Sequence, residues 1–330
     1  SAALGRALLA GRALRGNKPE RTLEYLAQFD KARMESSPAL LELRGRAHLD
    51  LGQHAEALGN FERWAKLTPA SGTAHFLRAE SLSRLGRTQD AQGALAQAVK
   101  LEPKNLPFRI AEVRALTRSG QGDKAKAAAQ RLHKDFGDQP EVFAALGWHA
   151  LMTGDFATAA DQLGRAFAQT PRSDILLERM AALWGLGKRD EAFKLINDWL
   201  AEHPQDSAAL LQLAGAHLEA GQEEQAVRAY RKVLEIDPAH VPSLNNVAWL
   251  TRKSNPDEAL EIARRTLELA PNDANVLDTL GMLYLDRNDL TQASWYVGKA
   301  HERNPRNPQI SLHLAEVERA LPRRRHRRRT

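Results

Sequence analysis

The sequence predicts an all-α solenoid, a stack of helix–turn–helix pairs, and three observations lead there. The first is a period. Alanine recurs at Ala57, Ala91, Ala125, Ala159, Ala192, Ala226, Ala259 and Ala293, each 33 or 34 residues after the one before. Self-similarity at such a period marks an architecture built by repetition. The second is the punctuation around that column. Proline stands twelve residues further on, at Pro69, Pro103, Pro171, Pro204, Pro238, Pro271 and Pro305, with Gly137 in its place once. A turn residue stands five residues before each alanine: Gly52, Gly86, Gly120, Gly154, Gly187 and Gly221, then Ser254 and Asn288. The third is apolar spacing of three and four on both sides of the turn. Leu210, Leu213, Ala214 and His217 show it before Gly221, and Ala226, Tyr230 and Val233 after it. Such spacing gives each segment one apolar stripe at the helical period.

The elements follow in order. Residues 1–37 read as one degenerate helical pair turning at "GNKPE", and residues 38–305 as eight repeats. Within a repeat, glycine adopts the positive φ that ends the first helix. Proline stops the second helix and can open the next. Small residues let the two helices approach: Gly45, Ala79, Gly147, Ala214, Ala248 and Gly281 on the first, the alanine column on the second. The seventh repeat replaces its glycine by "SNPDEA". There Asn255 is expected to cap the second helix and Pro256 to take its first position. Residues 306–321, with "NPQISLHLAEVERAL", read as a capping helix, and 322–330 as a disordered tail. A lone pair cannot bury its apolar face, so one elongated domain with a continuous core is expected.

The chain carries 47 lysines and arginines against 41 acids, a net charge of +6. Arg323, Arg324, Arg325, Arg327, Arg328 and Arg329 account for that excess, so the rest of the chain is balanced. The tail is therefore read as a solvated tether to an anionic membrane or polysaccharide. A folded nucleic-acid reader would need a shaped basic face or aromatic platform, and is disfavoured. There is no cysteine and no apolar run long enough to span a bilayer. The chain begins at Ser1 without methionine, which reads as a piece of a longer precursor, so any address segment would be missing from it.

Chemistry is sparse. Eleven histidines are scattered, with no H-E-x-x-H and no expected carboxylate partners, and phosphate-cradling or nucleophile motifs are missing. No catalytic residue, metal or cofactor is expected.

The period, the small-residue columns and the closing proline resemble the tetratricopeptide repeat (TPR) family from residue 38 to 305. The resemblance implies a right-handed α-solenoid whose first helices line a concave groove for protein or peptide partners, without catalysis. Carrying the family's inward register onto this chain implies groove positions at Phe76, Arg114, Arg118, Trp148, Met152, Leu177, Trp184, Leu211, Asn245, Asn246, Trp249, Asp278 and Met282. Trp64, Trp199 and Trp295 fall in second helices and are expected in the core. A groove tryptophan can anchor a peptide or stack on a sugar, or simply fill space between first helices. Both readings stay open for Trp148 and Trp184. Binding is favoured for Trp249, because Asn245 and Asn246 lie one helical turn before it and can grip a backbone amide. The clamp by which chaperone-binding members hold a C-terminal carboxylate is absent: Glu42, Arg46, Leu77 and Ala111 stand in the first three repeats.

The stretch "LNNVAWL…PDEALEIARRTLELAPNDANVLDTLGMLY" is similar to the closing repeats of the TPR lipoproteins of the PEP-CTERM/exosortase system (PrsT-like). It departs from them at "GM", where tryptophan commonly follows the glycine. That resemblance implies a bacterial envelope scaffold, periplasmic or anchored at the outer membrane in the full-length precursor, serving exopolysaccharide or protein sorting. Two alternatives remain. One is a carbohydrate-binding module using the groove tryptophans, and the other a cytoplasmic adaptor whose tail touches nucleic acid.

Overall fold

The computed structural model describes residues 2–321; Pro322 and the tail arginines Arg323–Arg325 and Arg327–Arg329 lie outside the described residues. Among the described residues there are twenty helices and no strand. The first three are α1 (Ala2–Arg15), α2 (Pro19–Leu26) and the short α3 (Lys31–Ser36). Residues 1–37 thus hold three helices where a single pair was expected, because Asp30 caps a further short helix with a bond from the Arg33 amide.

Eight pairs follow. They are α4 (Pro38–Asp50) with α5 (His54–Leu67), α6 (Gly72–Arg84) with α7 (Thr88–Leu101), α8 (Leu106–Arg118) with α9 (Gly122–Phe136), and α10 (Pro140–Met152) with α11 (Phe156–Gln169). Next come α12 (Ser173–Gly185), α13 (Arg189–Glu202), α14 (Ser207–Glu219) with α15 (Glu223–Ile236), α16 (Val241–Thr251) with α17 (Pro256–Leu269), and α18 (Ala274–Asp286) with α19 (Leu290–Arg303). The last helix is α20 (Pro308–Ala320). None is long and apolar enough to cross a membrane.

All eight alanines of the column are buried. The facing small residues are there because anything larger would collide. A Cβ added to Gly281 would lie 2.5 Å from Val297 Cγ2 and 2.9 Å from the Val297 amide nitrogen. The turns behave as the sequence implies: Gly221 has φ of +72°, and Asn288 substitutes for glycine at φ of +60°. Asn tolerates that region better than most residues because its short polar side chain can bond locally. Asn255 departs from expectation. Its side chain does not cap α17 but donates to Glu258 Oε2 at 2.7 Å, while Pro256 does open the helix.

A second column accompanies the prolines. Two residues beyond Pro69, Pro103, Pro204, Pro238, Pro271 and Pro305 stand Ser71, Asn105, Asp206, His240, Asp273 and Asn307. Each side chain accepts from a backbone amide at the start of the next first helix. Proline ends one helix, and two residues later a polar side chain satisfies the orphan donors of the next.

The chain divides in the turn of the fifth repeat into two compact units, Ser1–Gly187 and Lys188–Thr330. In a stack each pair touches only its neighbours, so compactness is a local property. In the first unit, Phe61, Trp64 and Leu77 centre one core cluster, and Phe143 with Leu163 another. In the second, Ala248, Ala263 and Leu280 form one cluster, while Met282, Val297 and Val317 form the one beneath α20.

Candidate functional site

In the second unit the first helices converge. Helices α16, α18 and α20 border a cavity of about 570 Å³ into which Asn245, Asn246, Trp249, Asp278, Gln309 and His313 project. The three helices start on side-chain caps, His240, Asp273 and Asn307, which fixes where their first turns stand. Asp278 is only 7% exposed. Its Oδ2 lies 2.7 Å from His313 Nδ1, and His313 Nε2 lies 2.7 Å from Gln309 Nε2. One tautomer satisfies both contacts: Nδ1–H donates to the carboxylate and Nε2 accepts from the glutamine amide. Asp278 Oδ1, in contrast, is buried without a hydrogen-bond partner, a state that carries a desolvation cost. The amides of Asn245 and Asn246 form no hydrogen bond among the described residues.

The Trp249 ring is already engaged. The Arg252 guanidinium lies 3.7 Å from its centroid and the His313 ring 5.3 Å away. These contacts fix the indole as a wall of the cavity and leave it a poor platform for a sugar ring. Met282, expected on the groove, is a correction. It is 5% exposed and packs with Ala293, Val297 and Val317, because α20 lies over that face of α18. Thus Asn245, Asn246, Trp249 and Asp278 are brought together, and Met282 lies beneath them in the core.

The first unit has its own cavity, of about 630 Å³, lined by Phe76, Arg114 and Arg118 among others. Phe76 stacks on Phe108 with centroids 4.7 Å apart. Arg114 and Arg118, one turn apart on α8, both lie over the Trp148 ring, at 5.6 and 5.4 Å. Met152, at the end of α10, is 56% exposed, and Trp184 is half-buried on α12. Neither borders this cavity.

Sequence reasoning missed three things. No histidine is expected to have a carboxylate partner, yet His313 is buried against Asp278. His133 Nε2 also meets a carboxylate, Asp138 Oδ1, at 3.1 Å. The signal for His313 was its place on the apolar stripe: Ile310, His313 and Val317 are all buried on α20. A polar side chain on a buried stripe needs a partner. Trp295 was expected in the core but is 55% exposed, set edge-on against Tyr296. Trp64 is buried, while Trp199 is half-buried and donates to Asp206 Oδ2 at 2.8 Å.

Comparison with known proteins agrees with the repeat. Tetratricopeptide repeat profiles match residues 82–148 and 183–247, and a second such profile matches 7–72, together more than half of the chain. The chain belongs to the tetratricopeptide repeat family. TPR repeats in general mediate protein–protein interactions and are not catalytic. A TPR repeat-containing protein of Pseudomonas aeruginosa is 25% identical over 248 residues, which is 74% of this chain and 36% of that protein. Cellulose synthase operon protein C of Xanthomonas axonopodis pv. citri is 30% identical over 203 residues, 57% of this chain and 14% of that protein. This chain therefore spans only a minor part of either relative. A solved tetratricopeptide repeat protein from Parabacteroides merdae shares the fold, with a TM-score of 0.50 at 14% identity, covering 85% of this chain and 98% of that one.

Proposed function

We propose that this TPR protein is a non-enzymatic scaffold that holds an extended segment of a protein partner against its first helices. The observation that carries the reading is the cavity of the second unit, where unengaged Asn245 and Asn246 face the same space as the buried Asp278 carboxylate. An extended peptide offers donors and acceptors along its backbone, and an asparagine amide can match both. Direct sugar stacking is the weaker reading, since Trp249 carries Arg252 and Trp148 carries two arginines.

The reading sets the scaffold in a bacterial envelope, periplasmic or outer-membrane-anchored, serving exopolysaccharide export or protein sorting. Two likenesses support it: the cellulose synthase operon relative and the resemblance of residues 243–293 to exosortase-system lipoproteins. Cell fractionation with an antibody checks it, and recovery in the cytosol would refute it.

Panning a random peptide library on the full chain tests the binding claim. Enriched peptides should lose about tenfold or more in affinity for the Asn245→Ala/Asn246→Ala chain, each lost amide contact being worth a sizeable part of that. Peptides that bind both chains equally would place the site elsewhere.

A further inference from the structure

We propose that the cavity of the first unit is a receptor for an acidic peptide segment, read by Arg84, Arg114 and Arg118. These three arginines border one space of about 630 Å³ in which Glu80 is the only lining acid. None of the three has an ion-pair partner among the described residues. Some other arginines of this unit do carry such partners: Arg109 meets Asp135 at 3.0 Å, and Arg63 meets Glu35 at 3.2 Å. The cavity is therefore a local excess of positive charge within a balanced fold.

The arginines are also held in position. Trp148 lies under both Arg114 and Arg118. Packing over an indole restrains the long arginine side chain, so less freedom is lost when a ligand binds. Arg114 Nε is buried without an acceptor among the described residues. Glu178 feels the charge of Arg114, yet burial still holds its carboxyl above the ordinary glutamate range. Within the cavity itself, three guanidinium groups thus face the single carboxylate of Glu80. An incoming one could form two parallel bonds with a guanidinium fork.

The apolar wall selects among anions. Phe76, Leu95, Ala111 and Ala115 line the same space, a surface that suits aliphatic side chains flanking an acidic residue. A uronate chain offers nothing comparable to fill it. The proposal rests on the reading of first helices as the receiving surface, and adds the charge of what is received.

The test is fluorescence anisotropy with the full chain and a labelled peptide of interspersed glutamate, alanine and leucine. Its glutamine counterpart and an oligogalacturonate are the comparison ligands. The acidic peptide should bind in a salt-sensitive way, and Arg114→Gln/Arg118→Gln should weaken it about tenfold or more. The exposed Arg21→Gln should leave it unchanged. Arg114→Lys/Arg118→Lys keeps the charge without the fork and should fall between, which preserves a readout if the glutamine pair unfolds. The proposal is overturned if the glutamine pair binds the acidic peptide as tightly as the native chain does. It is equally overturned if the glutamine peptide or the oligogalacturonate competes as well as the acidic peptide. If that happens while panned peptides still depend on Asn245 and Asn246, this proposal fails alone; if that dependence is also absent, the scaffold reading fails with it.

Discussion

Gly147 has no room for a methyl group. A Cβ there would lie 2.5 Å from Leu163 Cγ and 3.0 Å from the Leu163 amide nitrogen. Gly147→Ala should therefore overpack the α10–α11 contact and cost about 1–3 kcal/mol. Gly215, inside α14, has nothing within 4 Å of the same position, and Gly215→Ala should gain about 0.5–1 kcal/mol through helix propensity. Urea titration of both variants checks the contrast, and equal effects would contradict it. Glu178 gives a pH test. Burial, opposed by Arg114, raises its carboxyl above the ordinary value. A raised folded-state pKa means the ionised form is disfavoured by folding, so the loss is felt above that pKa and vanishes below the unfolded value. Glu178→Gln should thus be more stable than the native chain at neutral pH, with the gain fading as pH falls through the glutamate range. A gain that grew on acidification would show that Arg114 outweighs burial. At this scale the sequence was read well where neighbours are local: the alanine column and the glycines facing it were visible as columns. The Asp278–His313 contact was not, because 35 residues separate the two and no motif links them.

The helices owe their limits to short-range chemistry, and the caps test this. Asp206 accepts from the Ala209 amide at 3.0 Å and from the Trp199 indole at 2.8 Å. Gln222, at the equivalent place before α15, makes no side-chain cap. Asp206→Ala should cost about 1 kcal/mol or more, Asp206→Asn much less, and Gln222→Ala close to nothing in thermal melts. A large effect of Gln222→Ala would mean that the turn is held by something other than its backbone. The pairing of helices was legible because the periodicity reports contacts inside one repeat. The packing of α20 was legible only as an apolar helix. Which face of α18 it covers decides that Met282 is core and Asp278 lines a cavity, and that depends on how two separate helices dock. Trp295 was misplaced for the same reason: its register in α19 was clear, but not which side neighbours would cover.

At the scale of the molecule, the acids and bases balance outside the last eight residues, so local excesses such as the arginine-lined cavity stand out against a neutral background. The division at Gly187 had no sequence signal, since the period runs through it without a break in composition. The absence of cysteine makes the central claim directly measurable, because any cysteine introduced is the sole thiol. A thiol-reactive photocrosslinker on Asn275→Cys would report from the rim of the second unit's cavity. The same group on Glu261→Cys would report from the exposed face of α17, a second helix. The peptide enriched by panning should crosslink from position 275 and not from 261. Crosslinking from 261 with none from 275 would contradict the claim that first helices receive the partner.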